Sequence, residues 1–438
     1  LKTKTIFIFL VALFIVKLAL AVLFPVFGDE AYYYIWSLHP QLSYFDHPPM
    51  VSWLIYLSHL IFPAGNPLGL RFSFVFLSFL TSLVWLKILK DKKIENDKQF
   101  LFFAFMALNP LLGIGSIVAT PDVALAFFWS LSYLFFERLL NSKNIINYTL
   151  LGLSLGLGFC SKYHIVVFVI SGLIYLTLTK QFKKLKPIGI LTTVALGGLT
   201  SLPVTIWNAQ NEWASFLFQI DHGFGEETFS WSWPLGYLVA QCFIANPFFI
   251  YILFKKSIDP TQKIFSLSQL GFFLTSSFKS VVEGNWPLTS QFHTSLNGVL
   301  GSSKKQIAYA FTFWIFFYIL IGGFFLSESG SKVRKNLVNS SQLEDIYPLA
   351  STHQPLFGAT YQVASLISWK TQSLVPKLNG LSRHDFYDSL PESEPTATKF
   401  YVLKLDYSTW PDKYDKYQKI KLQSFDKTGL ELYQFSYE

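Results

Sequence analysis

Apolar runs of about twenty residues recur along this chain, and no other feature limits its fold so sharply. About 20 helical residues cross the ~30 Å hydrocarbon core of a bilayer. Runs of that kind, some slightly shorter, lie at 5–27, 68–89, 99–117, 121–140, 146–161, 164–179, 188–207, 233–254, 264–279 and 307–326. A further stretch, 289–303, is short and polar, and its composition leaves open whether it crosses. Of the 438 residues, 14% are charged and 18% aromatic. A soluble domain carries roughly 25% charged residues. These proportions argue against a soluble globular enzyme and against a disordered or collagen-like chain.

In a soluble protein the net charge of +8 would suggest nucleic acid. Its distribution argues otherwise. Residues 327–438 hold 13 basic and 13 acidic side chains, so the whole excess lies in the apolar part. Loops near 1–4, 87–98, 137–143, 180–186, 255–263 and 304–305 contain 18 basic and 5 acidic residues. The alternate loops, 28–48, 113–122, 160–163, 208–232 and 279–288, contain 9 acidic residues and only Lys162 and Lys279 as basic ones. Cytoplasmic loops carry the excess of Lys and Arg. The first set is therefore expected inside and the second outside, with the bilayer and not nucleic acid as the partner.

Lys2, Lys4, an apolar stretch and Ala19-Leu20-Ala21 have the outline of a cleavable signal peptide. The run continues to Phe27 and straight into a polar motif, so a retained first helix is expected, with Lys17 snorkelling toward the cytoplasmic face. Residues 49–62 are too few to span and are expected along the interface. After Leu326 the composition turns to Ser, Lys, Asp and Tyr. Residues 361–370 have helical spacing, while 399–407, 419–425 and 430–437 alternate as strands around the turn Asp426-Lys427-Thr428-Gly429. The expected organisation is a membrane domain, 1–326, followed by a soluble α/β domain, 327–438. Cys160 and Cys242 lie in apolar stretches, so no disulfide framework is expected in the tail.

The densest polar cluster is Gly28-Asp29-Glu30-Ala31-Tyr32-Tyr33-Tyr34, followed by Tyr44-Phe45-Asp46-His47-Pro48-Pro49. Two carboxylates directly after a membrane helix keep access to water, which suits a reaction between an amphipathic lipid and a polar partner. Their plain alternative is to cap the next helix. Acidic residues recur in the other outer loops, at Asp122, Asp221, Glu226, Glu227 and Glu283, which capping of one helix does not explain.

This paired motif resembles the signature of bacterial polyprenyl-phosphate-sugar-dependent glycosyltransferases. That group holds the lipid A aminoarabinose and galacturonic acid transferases and the protein O-mannosyltransferases, which share the GT-C membrane fold. Further matches follow in order: Ala119-Thr120-Pro121-Asp122, Ser161-Lys162-Tyr163, Pro203…Trp207-Asn208…Trp213…Phe218-Gln219…His222, Asn285-Trp286-Pro287 and Tyr361-Gln362-Val363-Ala364-Ser365. The resemblance implies a mainly α polytopic membrane protein of about ten or eleven transmembrane helices. It adds interfacial helices in the first outer loop and a small C-terminal α/β domain on the periplasmic side of a bacterial inner membrane. The implied reaction moves a sugar from polyprenyl (undecaprenyl) phosphate to lipid A, lipopolysaccharide or another envelope glycan. Protein O-glycosylation is the alternative within the fold. The sequence has neither a Gly-rich phosphate loop nor a Rossmann fingerprint, so no nucleotide cofactor is expected. A secondary transporter is the reading from another class; clustering of acidic residues in one set of loops and the lack of a repeat argue against it.

The resemblance assigns Asp29 as catalytic base, with inversion at the anomeric carbon, and leaves Glu30 as a second acidic candidate. At the position of Asp46 the aminoarabinose transferases have a carboxylate associated with a metal, followed by a lysine that meets the carrier phosphate. Here His47 follows, either as a donor to the phosphate or as a metal ligand beside Asp46, with Lys162 as the candidate for the lost cation. The expected donor-binding set is His47, Lys162, Tyr163, Asp122 and Arg71, with Asp46 and His222 as candidate ligands of a divalent metal. Each has a plainer alternative: N-terminal capping for Asp122, helix anchoring for Arg71, a solvated loop residue for His222. Arg383 in the tail is a further candidate cation.

Overall fold

A helix stands at every apolar run. The computed structural model describes residues 1–142, 144–225, 229–255, 259–327, 338–406, 408–426 and 428–437. Glu226, Glu227 and Lys427 lie outside them. Five helices among the described residues are long and apolar enough to cross a bilayer: Thr3–Leu23, Pro67–Asp91, Pro121–Asn141, Pro187–Gln210 and Lys304–Leu326. They become six if Ser232–Ala245 and Pro247–Leu253, bent by 99°, form one span. The chain is a multi-pass membrane protein.

The other runs give shorter helices: Asn96–Leu108, Ile145–Ser161, Val166–Leu178, Pro260–Ser276 and Ser290–Gly301. Thirteen residues at 1.5 Å each cover only about 20 Å. The breaks have local causes. The run at 99–117 stops before Pro110, where the Asn109 side chain accepts from the N–H groups of Leu111 (3.0 Å) and Leu112 (3.1 Å). The 99° bend falls at Asn246, which has φ 72° and whose side chain accepts from Phe248 N–H and donates to the Ala310 carbonyl. The stretch 289–303 is a helix whose residues 290–299 are all buried, so its Ser, Gln, His, Thr and Asn face protein and not lipid. One of them, His293, accepts from Trp129 Nε1 at 3.0 Å and meets Gln262 Oε1 at 2.8 Å. Lys17 does not snorkel. Its ammonium donates to Ser78 Oγ, Ser116 Oγ and the Leu112 carbonyl at 2.6–3.1 Å.

The chain divides into two compact units. The first comprises 1–19, 42–51 and 74–320. Its core gathers Trp85, Phe102, Trp129, Tyr133, Phe168 and Phe265. Trp85 stacks on Tyr133 with 5.6 Å between ring centroids. Helices Ile145–Ser161 and Pro187–Gln210 approach closely at Gly152 and Gly156, where a Cβ would meet Thr193 O and Thr200 Oγ1 below contact distance. Small residues four apart permit such approaches between membrane helices.

The second unit comprises 20–41, 52–73 and 321–438, so the tail is grouped with parts of the first loop. Its sheet has β1 (Leu356–Gly358), β2 (Lys399–Leu405), β3 (Gln418–Phe425) and β4 (Leu430–Ser436) in the order β1-β2-β4-β3. β1, which the sequence did not reveal, pairs parallel to β2; the other pairs are antiparallel. Phe357, Leu378, Phe400, Val402, Tyr414 and Phe435 form the tail's core. The helix Tyr361–Thr371 is capped by Thr360, whose side chain accepts from Val363 N–H.

Candidate active site

In the second unit the polar motif opens the helix Gly28–Leu38. Neighbouring helical residues point about 100° apart, so Asp29 and Glu30 cannot share an environment. Glu30 is fully buried and Asp29 is exposed. Glu30 Oε2 accepts from the Phe27 N–H at 3.1 Å, and both its oxygens take donors from Arg71, at 2.7 Å from Nε and 2.5 Å from Nη2. Arg71 gives its remaining N–H groups to the carbonyls of Ala21 (2.8 Å), Phe24 (2.9 Å) and Pro25 (2.7 Å). A guanidinium has five N–H donors, and all five are spent here. This corrects two expectations. Arg71, 0% exposed, has no donor left for a carrier phosphate, and Glu30 is a buried cap and ion-pair partner without access to substrate. Capping therefore describes Glu30 and not Asp29.

The exposed Asp29 carboxylate is held from the tail. Tyr361 Oη donates to its Oδ1 at 3.2 Å and Gln362 Nε2 at 3.5 Å. The Tyr361 ring packs on Tyr32, with 4.5 Å between centroids, and Tyr32 Oη accepts from the Phe386 N–H at 2.8 Å. The Arg383 guanidinium lies 4.9 Å from the centroid of Tyr361, which puts a cation next to the donor that holds Asp29. Gly28 fits because its missing Cβ would sit 2.4 Å from Gln362 Cβ. Gly28→Ala is expected to cost about 1–3 kcal/mol by overpacking, read as a lower thermal midpoint of the solubilised protein; an unchanged midpoint would contradict this packing. Burial pushes the Tyr34 phenol up and the His59 imidazole down, which keeps both neutral at physiological pH.

In the first unit three motifs meet at Asp122. This residue lies in the first turn of the helix Pro121–Asn141, with Pro121 at its first position. Its Oδ1 accepts from Lys162 Nζ at 2.8 Å and its Oδ2 from Asn285 Nδ2 at 2.9 Å. Lys162 is 6% exposed and follows the last residue of the helix Ile145–Ser161. An ammonium has three N–H donors, and among the described residues Asp122 takes one of them. Lys162, His47 and His222 all lie within electrostatic reach of His164. His164 and His222 both rest against Trp286, at 5.6 and 5.5 Å between centroids. His222 also stacks on Phe218, which packs on Phe45.

The segment that carries His222 is shaped by Asn208, fully buried, whose side chain accepts from the Phe216 N–H at 3.2 Å and whose carbonyl accepts from Trp213 N–H at 2.8 Å. Trp213 takes φ 61° in that turn. From the helix Ala214–Phe224, Gln219 Nε2 reaches the Asp46 carbonyl at 2.6 Å. Tyr163 Oη is bonded to Ser215 Oγ at 2.8 Å.

The buried Asp122–Lys162 pair and His222 thus flank Asn285 and Trp286, and Trp286 also holds His164, which the sequence did not single out. The available signal was its place directly after Ser161-Lys162-Tyr163, where a membrane helix ends. Among the described residues, no three His, Cys, Asp or Glu side chains converge to hold a metal ion.

Residues 46–207 match the family model described as dolichyl-phosphate-mannose-protein mannosyltransferase. A lipid A galacturonosyltransferase of Rhizobium johnstonii is 26% identical over 186 residues, covering 42% of this chain and 39% of that protein. The undecaprenyl phosphate-alpha-4-amino-4-deoxy-L-arabinose arabinosyl transferase of Wigglesworthia glossinidia brevipalpis is 32% identical over 157 residues, covering 33% of this chain and 27% of that protein. The chain therefore spans well under half the length of these curated relatives. The crystal structure of ArnT from Cupriavidus metallidurans bound to undecaprenyl phosphate superposes with a TM-score of 0.69 at 10% identity, over 99% of this chain and 98% of that one. Its apo form gives 0.66. The fold is the GT-C membrane fold that the motif resemblance implied.

Proposed function

We propose that this chain, built on the fold of the GT-C glycosyltransferases, moves a sugar from a polyprenyl-phosphate carrier to an acceptor on the periplasmic face of a bacterial inner membrane. The observation that carries the reading is the buried Lys162, paired with Asp122, which also holds Asn285, while the adjacent Trp286 holds His164 and His222. A leaving phosphate monoester is an anion and needs donors of this kind. The names of the two curated relatives favour lipid A as acceptor and undecaprenyl phosphate as carrier. The description of the family model favours a second reading, in which the acceptor is a protein hydroxyl.

In the proposed step the acceptor hydroxyl gives its proton to the Asp29 carboxylate as its oxygen attacks the anomeric carbon. The bond from that carbon to the phosphate oxygen breaks, and polyprenyl phosphate leaves with the electron pair. Charge on the sugar is oxocarbenium-like at the transition state, and the result is inversion. Lys162 and the imidazoles meet the charge that grows on the departing phosphate.

Purified protein in liposomes with an undecaprenyl-phosphate-linked sugar and lipid A should release one undecaprenyl phosphate per glycosylated acceptor. Release without acceptor modification, or retained anomeric configuration in the product, would overturn the proposal. Lys162→Ala should lower kcat by about 10²–10³-fold, as loss of one donor to developing charge does. It also leaves Asp122 without its cation, so Lys162→Arg serves as control. An activity in Lys162→Ala equal to wild type would remove the residue from the site.

A further inference from the structure

A second concave feature lies away from these clusters. Within the first unit a cavity of about 420 Å³ opens between the helices Val166–Leu178 and Pro187–Gln210. Small-molecule pockets occupy about 300–1,000 Å³, so the space is ample for a ligand. Val169 and Leu173 line it from one helix, Ile190, Val194 and Gly198 from the other, and Tyr148 also lines it. Val169, Leu173, Ile190 and Val194 are 44–66% exposed, so the cavity opens onto the outer surface of the helices. Its polar groups are already engaged. Thr193 Oγ1 donates to the Tyr148 carbonyl at 3.0 Å, and Tyr148 Oη accepts from the Lys186 N–H at 2.9 Å. Such a wall suits hydrocarbon.

One end of the cavity is basic. Leu185, which lines it, belongs to the loop that carries Lys180, Lys183, Lys184 and Lys186. All four lysines are exposed, and none has an acidic partner among the described residues. Basic pockets at the cytoplasmic ends of transmembrane helices receive anionic lipid headgroups. The donor cluster is elsewhere: Lys162 stands fourteen residues beyond Tyr148 along the helix Ile145–Ser161 and its end, about 21 Å at 1.5 Å per residue.

We propose that this cavity takes one acyl chain of an anionic glycerophospholipid whose headgroup phosphate lies among Lys180, Lys183, Lys184 and Lys186. The hydrocarbon wall would supply adhesion and the lysines the preference for negative charge. This site is independent of the transferase reading and stands if that reading fails.

Native mass spectrometry of the full chain in detergent tests it, with phosphatidylglycerol, phosphatidylcholine, glycerol phosphate and undecaprenyl phosphate as probes. Phosphatidylglycerol should be retained about tenfold more than phosphatidylcholine, and glycerol phosphate should not be retained. Lys183→Glu combined with Lys184→Glu should remove the preference. Gly198→Leu should lower phosphatidylglycerol retention by about tenfold, because a Cβ there meets nothing within 4 Å and the side chain can enter the cavity. It also replaces a helical glycine by a better helix former. Equal retention of the two phospholipids, or undiminished retention in Gly198→Leu, would overturn the proposal. Displacement of phosphatidylglycerol by undecaprenyl phosphate in wild type, lost in Gly198→Leu, would overturn it too by assigning the cavity to the sugar carrier.

Discussion

Asp29→Asn is expected to lower the turnover of sugar transfer by about 10²–10⁴-fold, the range that a positioned general base supplies, with the thermal midpoint unchanged. The side chain is exposed, and Tyr361 and Gln362 donate to a single carboxylate oxygen, which the Asn carbonyl oxygen can replace. What is lost is the capacity to take a proton. The effect should fall on kcat with little change in KM for the lipid-linked sugar, since no carrier phosphate is assigned to this residue. Asp29→Glu keeps the carboxylate but moves it by one methylene, so it should recover only part of the rate. A loss of less than tenfold in Asp29→Asn would mean that the acceptor proton leaves by another route.

Arg71→Met is expected to have the largest effect on stability, about 3–5 kcal/mol, because it strands the partner of a buried ion pair. Glu30 would keep a charge at 0% exposure, and the carbonyls of Ala21, Phe24 and Pro25 would lose their donors. Pairing Arg71→Met with Glu30→Met removes the stranded charge and should restore part of the loss. Recovery would stay incomplete, since the three carbonyls remain without a donor. Arg71→Lys should also fail, as three N–H donors cannot replace a five-donor fork. Thermal unfolding of the solubilised proteins gives the order. If Arg71→Met left the midpoint unchanged and raised only KM for the donor, the residue would be a phosphate ligand after all.

The contrast between these neighbouring acidic residues shows what the sequence could and could not convey. The motif marked the loop, and helical geometry requires its two carboxylates to diverge. Which of them turns inward depends on Arg71, forty-one residues further on, and no local pattern records that pairing. A solitary arginine in a membrane segment reads as an anion ligand until its five donors are accounted for. The apolar runs each became a helix, because burial in lipid or protein favours continuous apolar sequence. Their breaks depended on single side chains such as Asn109 and Asn246, whose capping bonds are tertiary or turn-specific. The stretch 289–303 is short and polar as sequence because its side chains are buried in protein and not in lipid, where His293 meets Gln262 and Trp129. His164 shows the opposite case: one imidazole beside a known motif carries no signal until the fold sets it with His222 against Trp286.

Transfer from a lipid-phosphate carrier with Asp29 as base has a direct consequence in the envelope. Mass spectrometry of envelope lipids and glycoproteins tests it most directly, in cells lacking the gene and complemented with wild type or Asp29→Asn. Wild type should restore one sugar-sized adduct on lipid A or another envelope glycan, and Asp29→Asn should leave it missing while accumulating normally in the membrane. Restoration of the adduct by Asp29→Asn would contradict the assigned base. An unchanged lipid and glycoprotein pool in the deletion, with defective solute uptake, would contradict the transferase itself.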